Sequence, residues 1–316
     1  FEMTLEANRE YRLQMEYITL PGIQWRAVHL GAEWLDRPDP VEEAVKIAQD
    51  ADMVVIVAGL TNEWEAEGAD RVNMRLPNRQ DELIEKVSAV NPNVVVVLNL
   101  GGPVAMPWLD QVSSVLHIWY LGQESGNALA DVLFGDVSPS GKLPTTFPKR
   151  LEDNPSFINF PGENGHVNYG EGLFIGYRYY DKKAIEPLFP FGHGLSYTQF
   201  HFRALTLPET VRLGERVKVS CEVENIGKVA GKEVVQVYIR DVESSLVRPP
   251  KELKAFAKIA LQPGESKTVE FNLDQRAFSF YDDLKAAWVA EPGEFETLIG
   301  ASSQDIRLRG TLLLKG

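Results

Sequence analysis

The segment Thr61-Asn-Glu-Trp-Glu-Ala-Glu-Gly-Ala-Asp-Arg71 gathers four carboxylates, Glu63, Glu65, Glu67 and Asp70, around one tryptophan and one arginine. Crowded carboxylates repel, and shielding from water then keeps at least one of them protonated to higher pH. A carboxyl group that holds its proton near neutrality can protonate a departing alcohol oxygen, the acid half of glycoside cleavage. The same composition also describes a solvated acidic loop, and spacing alone leaves both readings open. Two further stretches carry candidate chemistry. Trp119-Tyr-Leu-Gly-Gln-Glu-Ser-Gly126 offers aromatic faces to a sugar, although Ser125 or Asn127 capping a following helix accounts for it equally. Tyr169-Gly-Glu-Gly-Leu-Phe-Ile-Gly-Tyr-Arg-Tyr-Tyr180 can line a carbohydrate cleft or wedge two domains together.

Residues 37–200 supply the frame for these segments. Val41, Ala44, Val45 and Ala48 share one helical face. The apolar run Met53–Val57, ending at Gly59, predicts a buried strand. The 61–71 loop then lies beyond its carboxyl end, where open α/β sheets bind ligands. Pro77 is predicted to open a second helix carrying Leu83, Ile84, Val87 and Val90. Val94–Leu98, closed by Gly101-Gly102-Pro103, predicts the next strand. Val115–Tyr120 and Lys142–Phe147 predict two more, with a short helix at Asn127–Phe134. Continuous apolar strands alternating with helices predict a three-layer α/β sandwich around a mostly parallel sheet. The loop-rich residues 149–200 close this unit.

From about residue 201 the apolar period becomes two. Val217–Val223, Val234–Ile239, Lys254–Phe256, Val269–Leu273 and Phe295–Ile299 are strand candidates, separated by turns such as Asn225-Ile-Gly227 and Gln262-Pro-Gly264. Residues 201–316 are therefore predicted to form an antiparallel β-sandwich. At the other end, residues 1–36 alternate weakly (Tyr11, Leu13, Met15, Tyr17; then Ile23, Trp25, Ala27). They read as the last two strands of a truncated β domain, joined through the linker Asp36-Arg-Pro-Asp-Pro40. The start at Phe1, without a signal-peptide pattern, predicts a fragment, a processed chain or a subunit. Cytoplasmic and secreted locations both remain open.

A length of 316 residues suits two or three domains, and 44% hydrophobic with 24% charged residues is ordinary globular composition. The net charge of −13 argues against nucleic acid or an anionic membrane as partner and suits a neutral ligand such as a sugar. No apolar run approaches membrane-spanning length. The single cysteine, Cys221, excludes an intrachain disulfide and falls on the apolar side of an alternating strand. Five scattered histidines show no metal spacing, and neither metal nor organic cofactor is expected.

Taken in order, the motifs resemble glycoside hydrolase family 3. Those carrying the resemblance are Glu65-Ala-Glu-Gly-Ala-Asp-Arg71 with Leu76-Pro77 and Gln80, Asn99-Leu-Gly-Gly-Pro103, Trp119-Tyr-Leu-Gly-Gln-Glu124 and Ala130-Asp-Val-Leu-Phe-Gly-Asp136. Further along come Ser140-Gly-Lys-Leu-Pro144, Gly176-Tyr-Arg-Tyr-Tyr-Asp181 and Phe189-Pro-Phe-Gly-His-Gly-Leu-Ser-Tyr197. Gly231–Val237 and Arg248–Phe256 are similar to the family's fibronectin type III-like domain, and residues 1–36 to the tail of an inserted PA14 module. The resemblance implies a retaining glycosidase acting on terminal β-D-glucose of β-glucosides or oligosaccharides. Its nucleophilic Asp would come from an N-terminal (β/α)8 barrel that this chain lacks, in the same gene product or a partner chain. It implies Glu67 as acid/base, with Glu65 and Glu63 as alternatives because the loop varies in length, and substrate contacts from Trp64, Asp70, Arg71 and Tyr169. A β-xylosidase or arabinosidase, or a non-catalytic carbohydrate-binding or scaffolding module, fits the same motifs. The β-sandwich is expected to be structural, with Val247-Arg-Pro-Pro250 bracing it against another domain. A homo-oligomer is compatible with all of this.

Overall fold

The computed structural model describes residues 3–16, 38–68 and 70–316. The sheet domain opens with α1 (Pro40–Gln49), whose start the sequence specifies locally. The Asp39 side chain accepts the Val41 N–H at 2.9 Å, proline occupies the first turn, and Glu42 and Glu43 face the positive end of the helix dipole. β1 (Val54–Gly59), α2 (Gln80–Val90), β2 (Val94–Asn99), β3 (Ser114–His117) and α3 (Ser125–Leu133) follow. The three strands are parallel and lie in chain order, with Ile56 opposite Val96 and Val97 opposite Leu116. Ile56, Ala58, Val96 and Leu98 on one face pack with Ala48 of α1 and with Ile84 and Val87 of α2. Arg79 ties the two helices by bonding both Asp39 and Glu82. Beneath α2 the buried Asp81 accepts the Trp108 indole N–H at 2.9 Å and the Arg75 guanidinium at 2.7 Å. A buried carboxylate with two donors of this kind is satisfied.

Several expected boundaries move, each for a local reason. Asn78 stands at φ 54°, a left-handed conformation that cannot continue a helix, so α2 begins at Gln80 and Pro77 lies before it. β3 ends at His117 rather than Tyr120, because Trp119 stands at φ 53°. Lys142–Phe147 forms no full strand. Pro144 lacks the N–H a ladder needs, so pairing is confined to Leu143, which bonds the backbones of His193 and Gly192, and to a single antiparallel bridge from Phe147 to Phe189. The cap expected of Ser125 or Asn127 is absent: Glu124 precedes the first turn of α3 with no side-chain capping bond, and Asn127 donates to the Glu124 carboxylate. Residues 3–16 contain no strand, and Tyr11, Leu13 and Met15 are exposed. The remaining alternation at Tyr17, Ile23, Trp25 and Ala27, and most of the linker, lie outside the described residues.

A short helix, α4 (Tyr177–Lys183), leads to the antiparallel β-sandwich. Its strands are β4 (Phe200–Thr206), β5 (Thr210–Arg212), β6 (Val217–Asn225), β7 (Gly231–Asp241), β8 (Glu252–Leu261), β9 (Ser266–Leu273), β10 (Phe280–Asp282), β11 (Ala287–Val289), β12 (Gly293–Gly300) and β13 (Ile306–Lys315). The sheets run β5-β13-β12-β7-β8 and β4-β6-β9, with β10-β11 as a separate hairpin. Alternate residues of β6 (Val219, Cys221, Val223) meet Val237, Ile239, Phe271, Phe295 and Ile299 in the core. Burial pushes the Cys221 thiol up to about 11, consistent with its packing role.

Residues 177–198 pack onto this sandwich. The Tyr177 ring stacks on Phe191 and meets Tyr238 edge-on, and its phenol oxygen accepts the Leu253 N–H at 2.8 Å. The buried Gln236 amide donates to the carbonyls of Gly192 and Ala301 and accepts the Tyr238 hydroxyl. Lys142 and Glu233 form a largely buried pair at 2.9 Å, and Lys251 pairs with Asp181 at 2.6 Å. The wedge reading thus holds for the Tyr177–Asp181 end of the Tyr-rich stretch. The bracing expected of Val247–Pro250 is internal instead. Arg248 turns inward to Asp241, Glu252 and the carbonyls of Phe278 and Ser279.

Candidate active site

Three loops leave the carboxyl ends of three consecutive parallel strands, and all three reach one side chain. Glu65 comes from the loop after β1. Its Oε2 accepts the Gly101 N–H, after β2, at 2.9 Å and the Tyr120 hydroxyl, after β3. Parallel strands bring their carboxyl ends to the same edge, which makes this convergence a property of the sheet. Gly101 suits it: a Cβ there would stand 3.0 Å from both Glu65 Oε2 and the Tyr120 ring, so those side chains would have to shift to accept one. Gln80 fixes the start of the acidic loop from below. Its side-chain amide accepts the Gly59 N–H at 2.8 Å and donates to the Gly59 carbonyl at 3.0 Å. Within the loop, Thr61 O accepts the N–H groups of Trp64 and Glu65.

Arg71 closes the far side of the loop. One guanidinium nitrogen donates to Pro103 O at 2.9 Å, while Nη1 is buried with no partner among the described residues. A Cβ on Gly102 would lie 3.4 Å from both Arg71 Nη2 and Glu65 Oε1, so the loop after β2 supports both side chains. Burial, reinforced by the Glu65 carboxylate, pushes the Tyr120 phenol up to about 12. The phenol therefore keeps its proton at neutral pH and donates it to Glu65. Below it, burial lowers the pKa of His117. Among the described residues neither of its ring nitrogens has a partner, and its ring meets Trp119 and Phe147 edge-on.

The remaining carboxylates of the loop are differently placed. Glu63 and Glu67 are exposed, and among the described residues no hydrogen bond or ion pair reaches either side chain. Asp70 is exposed and Trp64 partly so. Glu67, Trp64, Asp70 and Arg71 share the loop with the anchored Glu65. Tyr169 does not join them: it stands 82% exposed on a turn whose bonds stay local, Gly172 N–H to Tyr169 O and Asn159 to Glu171. The sequence reading missed Gly101 and Gln80 as structural partners and Tyr120 as a donor. The usable signal was that each follows, or reaches, the end of a predicted parallel strand. Two cavities of about 480 and 540 Å³ lie against the sandwich, and neither is lined by the acidic loop. The loop is an open ledge. Among the described residues no cluster of three or more His, Cys, Asp or Glu is arranged to hold a metal ion.

Comparison with known proteins decides the family. The model of the glycosyl hydrolase family 3 C-terminal domain matches residues 6–197, and that of a fibronectin type III-like domain matches residues 233–303. The chain belongs to glycosyl hydrolase family 3. Thermostable β-glucosidase B of Acetivibrio thermocellus is 55% identical over 270 residues, covering 85% of this family 3 chain and 36% of that protein. A β-glucosidase structure from Kluyveromyces marxianus in complex with glucose superposes with a TM-score of 0.83 at 43% identity, over 87% of this chain and 33% of that one. A family 3 β-glucosidase from Bifidobacterium adolescentis gives 0.84 at 43% identity, over 89% and 42%. The family 3 chain thus spans well under half the length of each.

Proposed function

We propose that this chain is the part of a retaining β-glucosidase that supplies the general acid/base, Glu67, to a nucleophilic Asp carried on a barrel domain outside it. The observation that carries the reading is the division of labour within the acidic loop. Glu65 is committed to Gly101 and Tyr120 and fixes the loop. Two residues on, Glu67 projects from the same loop with no partner among the described residues, free to meet a leaving-group oxygen. The open ledge suits an active site whose opposite wall is another domain. In a retaining mechanism the two carboxyl groups stand about 5–5.5 Å apart, and the acid that protonates the leaving oxygen later deprotonates the incoming water. Trp64, Asp70 and Arg71 flank Glu67 and are the proposed sugar contacts. Tyr169 can contribute only if the turn carrying it meets the sugar from the barrel side. Relatives titled β-glucosidase favour glucose as the released sugar.

The test uses the longer enzyme. Glu67→Ala is expected to lower turnover of alkyl β-glucosides by about 10²–10⁴-fold. A dinitrophenyl β-glucoside, whose leaving group needs little protonation, should lose far less in its first step, and added azide should restore turnover. Full activity of Glu67→Ala on alkyl glucosides, with azide rescue at Glu65→Ala or Glu63→Ala, would move the role to one of those residues. No rescue at any of the three would place the acid/base outside this loop.

A further inference from the structure

The cavity of about 480 Å³ has walls contributed by residues 173–288, from the turn at Leu173 and α4 to β8, β9 and the β10-β11 hairpin. Its charge runs against that of the chain. The whole sequence carries −13, yet four cations line this cavity, Arg178, Arg248, Lys254 and Arg276, against two carboxylates, Glu252 and Asp274. Glu252 serves three of the four cations. It holds Arg248 at 2.9 Å but stands 3.4 Å from Lys254 and 3.5 Å from Arg178, both beyond the usual reach of an N–H···O bond. Arg248 has a second carboxylate in Asp241, at 2.9 Å. Lys254 is the underserved group. Its side chain is 16% exposed, and among the described residues its ion pairing is that single 3.4 Å contact. Burial lowers the Lys254 pKa against the pull of Glu252, and the Arg248 and Arg178 charges add to the fall.

The opposite wall is aromatic. Tyr281 and Trp288 face each other across the hairpin with ring centroids 5.4 Å apart, and each is about half exposed. The Arg276 guanidinium lies over the Trp288 ring, and among the described residues no carboxylate pairs with it. Asp274 is exposed and pairs with none of the cations. Partly buried charge without enough counter-charge is unfavourable, and an entering anion relieves it. Aromatic faces beside such charges pack on the C–H-rich face of a sugar ring. A cavity of this volume falls in the range that holds small ligands. We propose that it binds an anionic sugar, one ring bearing a carboxylate or a phosphate, with the oxyanion between Lys254, Arg178 and Arg276 and a ring face against Tyr281 and Trp288. The site does not depend on which residue of the acidic loop transfers protons.

Calorimetry on the longer enzyme tests it, with saturating glucose present to occupy any site for neutral sugar. The probes are D-glucuronate, glucose 6-phosphate and inorganic phosphate. At least one of the two sugars should bind about tenfold more tightly than inorganic phosphate, and added salt should weaken it. Lys254→Met and Arg276→Ala should each weaken that sugar by about tenfold, with hydrolysis of an aryl β-glucoside unchanged. Lys254→Met leaves Glu252 with Arg248 and Arg178, so the fold should survive. Arg276 is exposed, so Arg276→Ala decides the matter even if the melting temperature of Lys254→Met falls. Trp288→Leu should bring the sugar down towards inorganic phosphate. No binding of either sugar up to about 10 mM would overturn the proposal. So would inorganic phosphate binding as tightly as both sugars, indifferent to Trp288→Leu, which would leave a bare anion site. Sugar binding unaffected by Arg276→Ala would place it elsewhere and overturn the proposal as well. Aryl β-glucoside hydrolysis by the unsubstituted enzyme reports on the glucosidase reading separately.

Discussion

Replacing Glu65 with Gln keeps the size of the side chain and removes its charge, and the structure fixes how much that should matter. Oε2 accepts from the Gly101 N–H and the Tyr120 hydroxyl. Hydrogen bonds to a charged acceptor contribute about 1.5–3 kcal/mol and neutral ones about 1 kcal/mol. Two weakened bonds would cost about 1–4 kcal/mol if buried, but Tyr120 is 53% exposed, and solvent reduces this to about 1 kcal/mol. That is a roughly fivefold increase in the released population of the acidic loop. For the longer enzyme, Glu65→Gln should therefore lower kcat/KM about fivefold, against the 10²–10⁴-fold expected at an acid/base. Azide should not rescue it, because no proton transfer has been lost. A second readout is independent of turnover. The Tyr120 phenol, held at about 12 by burial first and by Glu65 next, should titrate lower once the adjacent negative charge is gone. It should not fall fully to 10, since burial remains. Tyrosine ring-carbon NMR resolves that titration. An unmoved Tyr120 titration would refute the contact. A 10²-fold loss with azide rescue at Glu65, and near-normal activity of Glu67→Gln, would invert the roles assigned to the two residues.

Other consequences follow from groups away from the loop. Glu233→Gln strips the largely buried Lys142 of its counter-charge and should destabilise the junction by about 3 kcal/mol; replacing both with apolar residues should recover most of that, as read by denaturant melts. His117 and His193 are both depressed by burial, so the unfolded chain binds more protons below pH 6.5. Stability should therefore fall as pH drops from 7 towards 5, and His117→Gln should flatten part of that slope in thermal melts across pH. Chelator treatment should leave glycoside hydrolysis unchanged, because proton transfer between carboxyl groups and water requires no metal; activity lost and restored by one specific divalent ion would refute this.

The sheet was legible because its strands are continuous apolar runs, Val54–Val57 and Val94–Leu98, although the strand expected to be buried at Met53–Val57 leaves Val55 and Val57 exposed on one face. The ends were not legible, because they depend on single backbone conformations. Nothing in the composition of Trp119 or Asn78 says that either will stand at positive φ, yet those two residues stop β3 and delay α2. Lys142–Phe147 had a strand-like composition, but Pro144 removed the donor that composition counts do not see. In the sandwich, period two identified β6, β7, β8, β9 and β12, because it survives in strands with one face in a core, but β4, β5, β10, β11 and β13 were not predicted.

The acidic loop was half legible, and the missing half changes its chemistry. Residue types identify a cluster of carboxylates around Trp64, and mutual repulsion implies that their environments differ. They do not say which carboxylate is engaged, since the partners of Glu65 lie 36 and 55 residues away in sequence. Topology narrows that choice. If three predicted strands are parallel and adjacent, the residues just beyond each must meet at one edge, so a donor after β2 and another after β3 will find an acceptor after β1. Gly101 and Tyr120 are those donors, and Glu65 stands opposite both. Among the described residues Glu67 is left unengaged, because the one position in the loop that faces both donors is taken. Its freedom follows from the parallel sheet as much as from its own side chain.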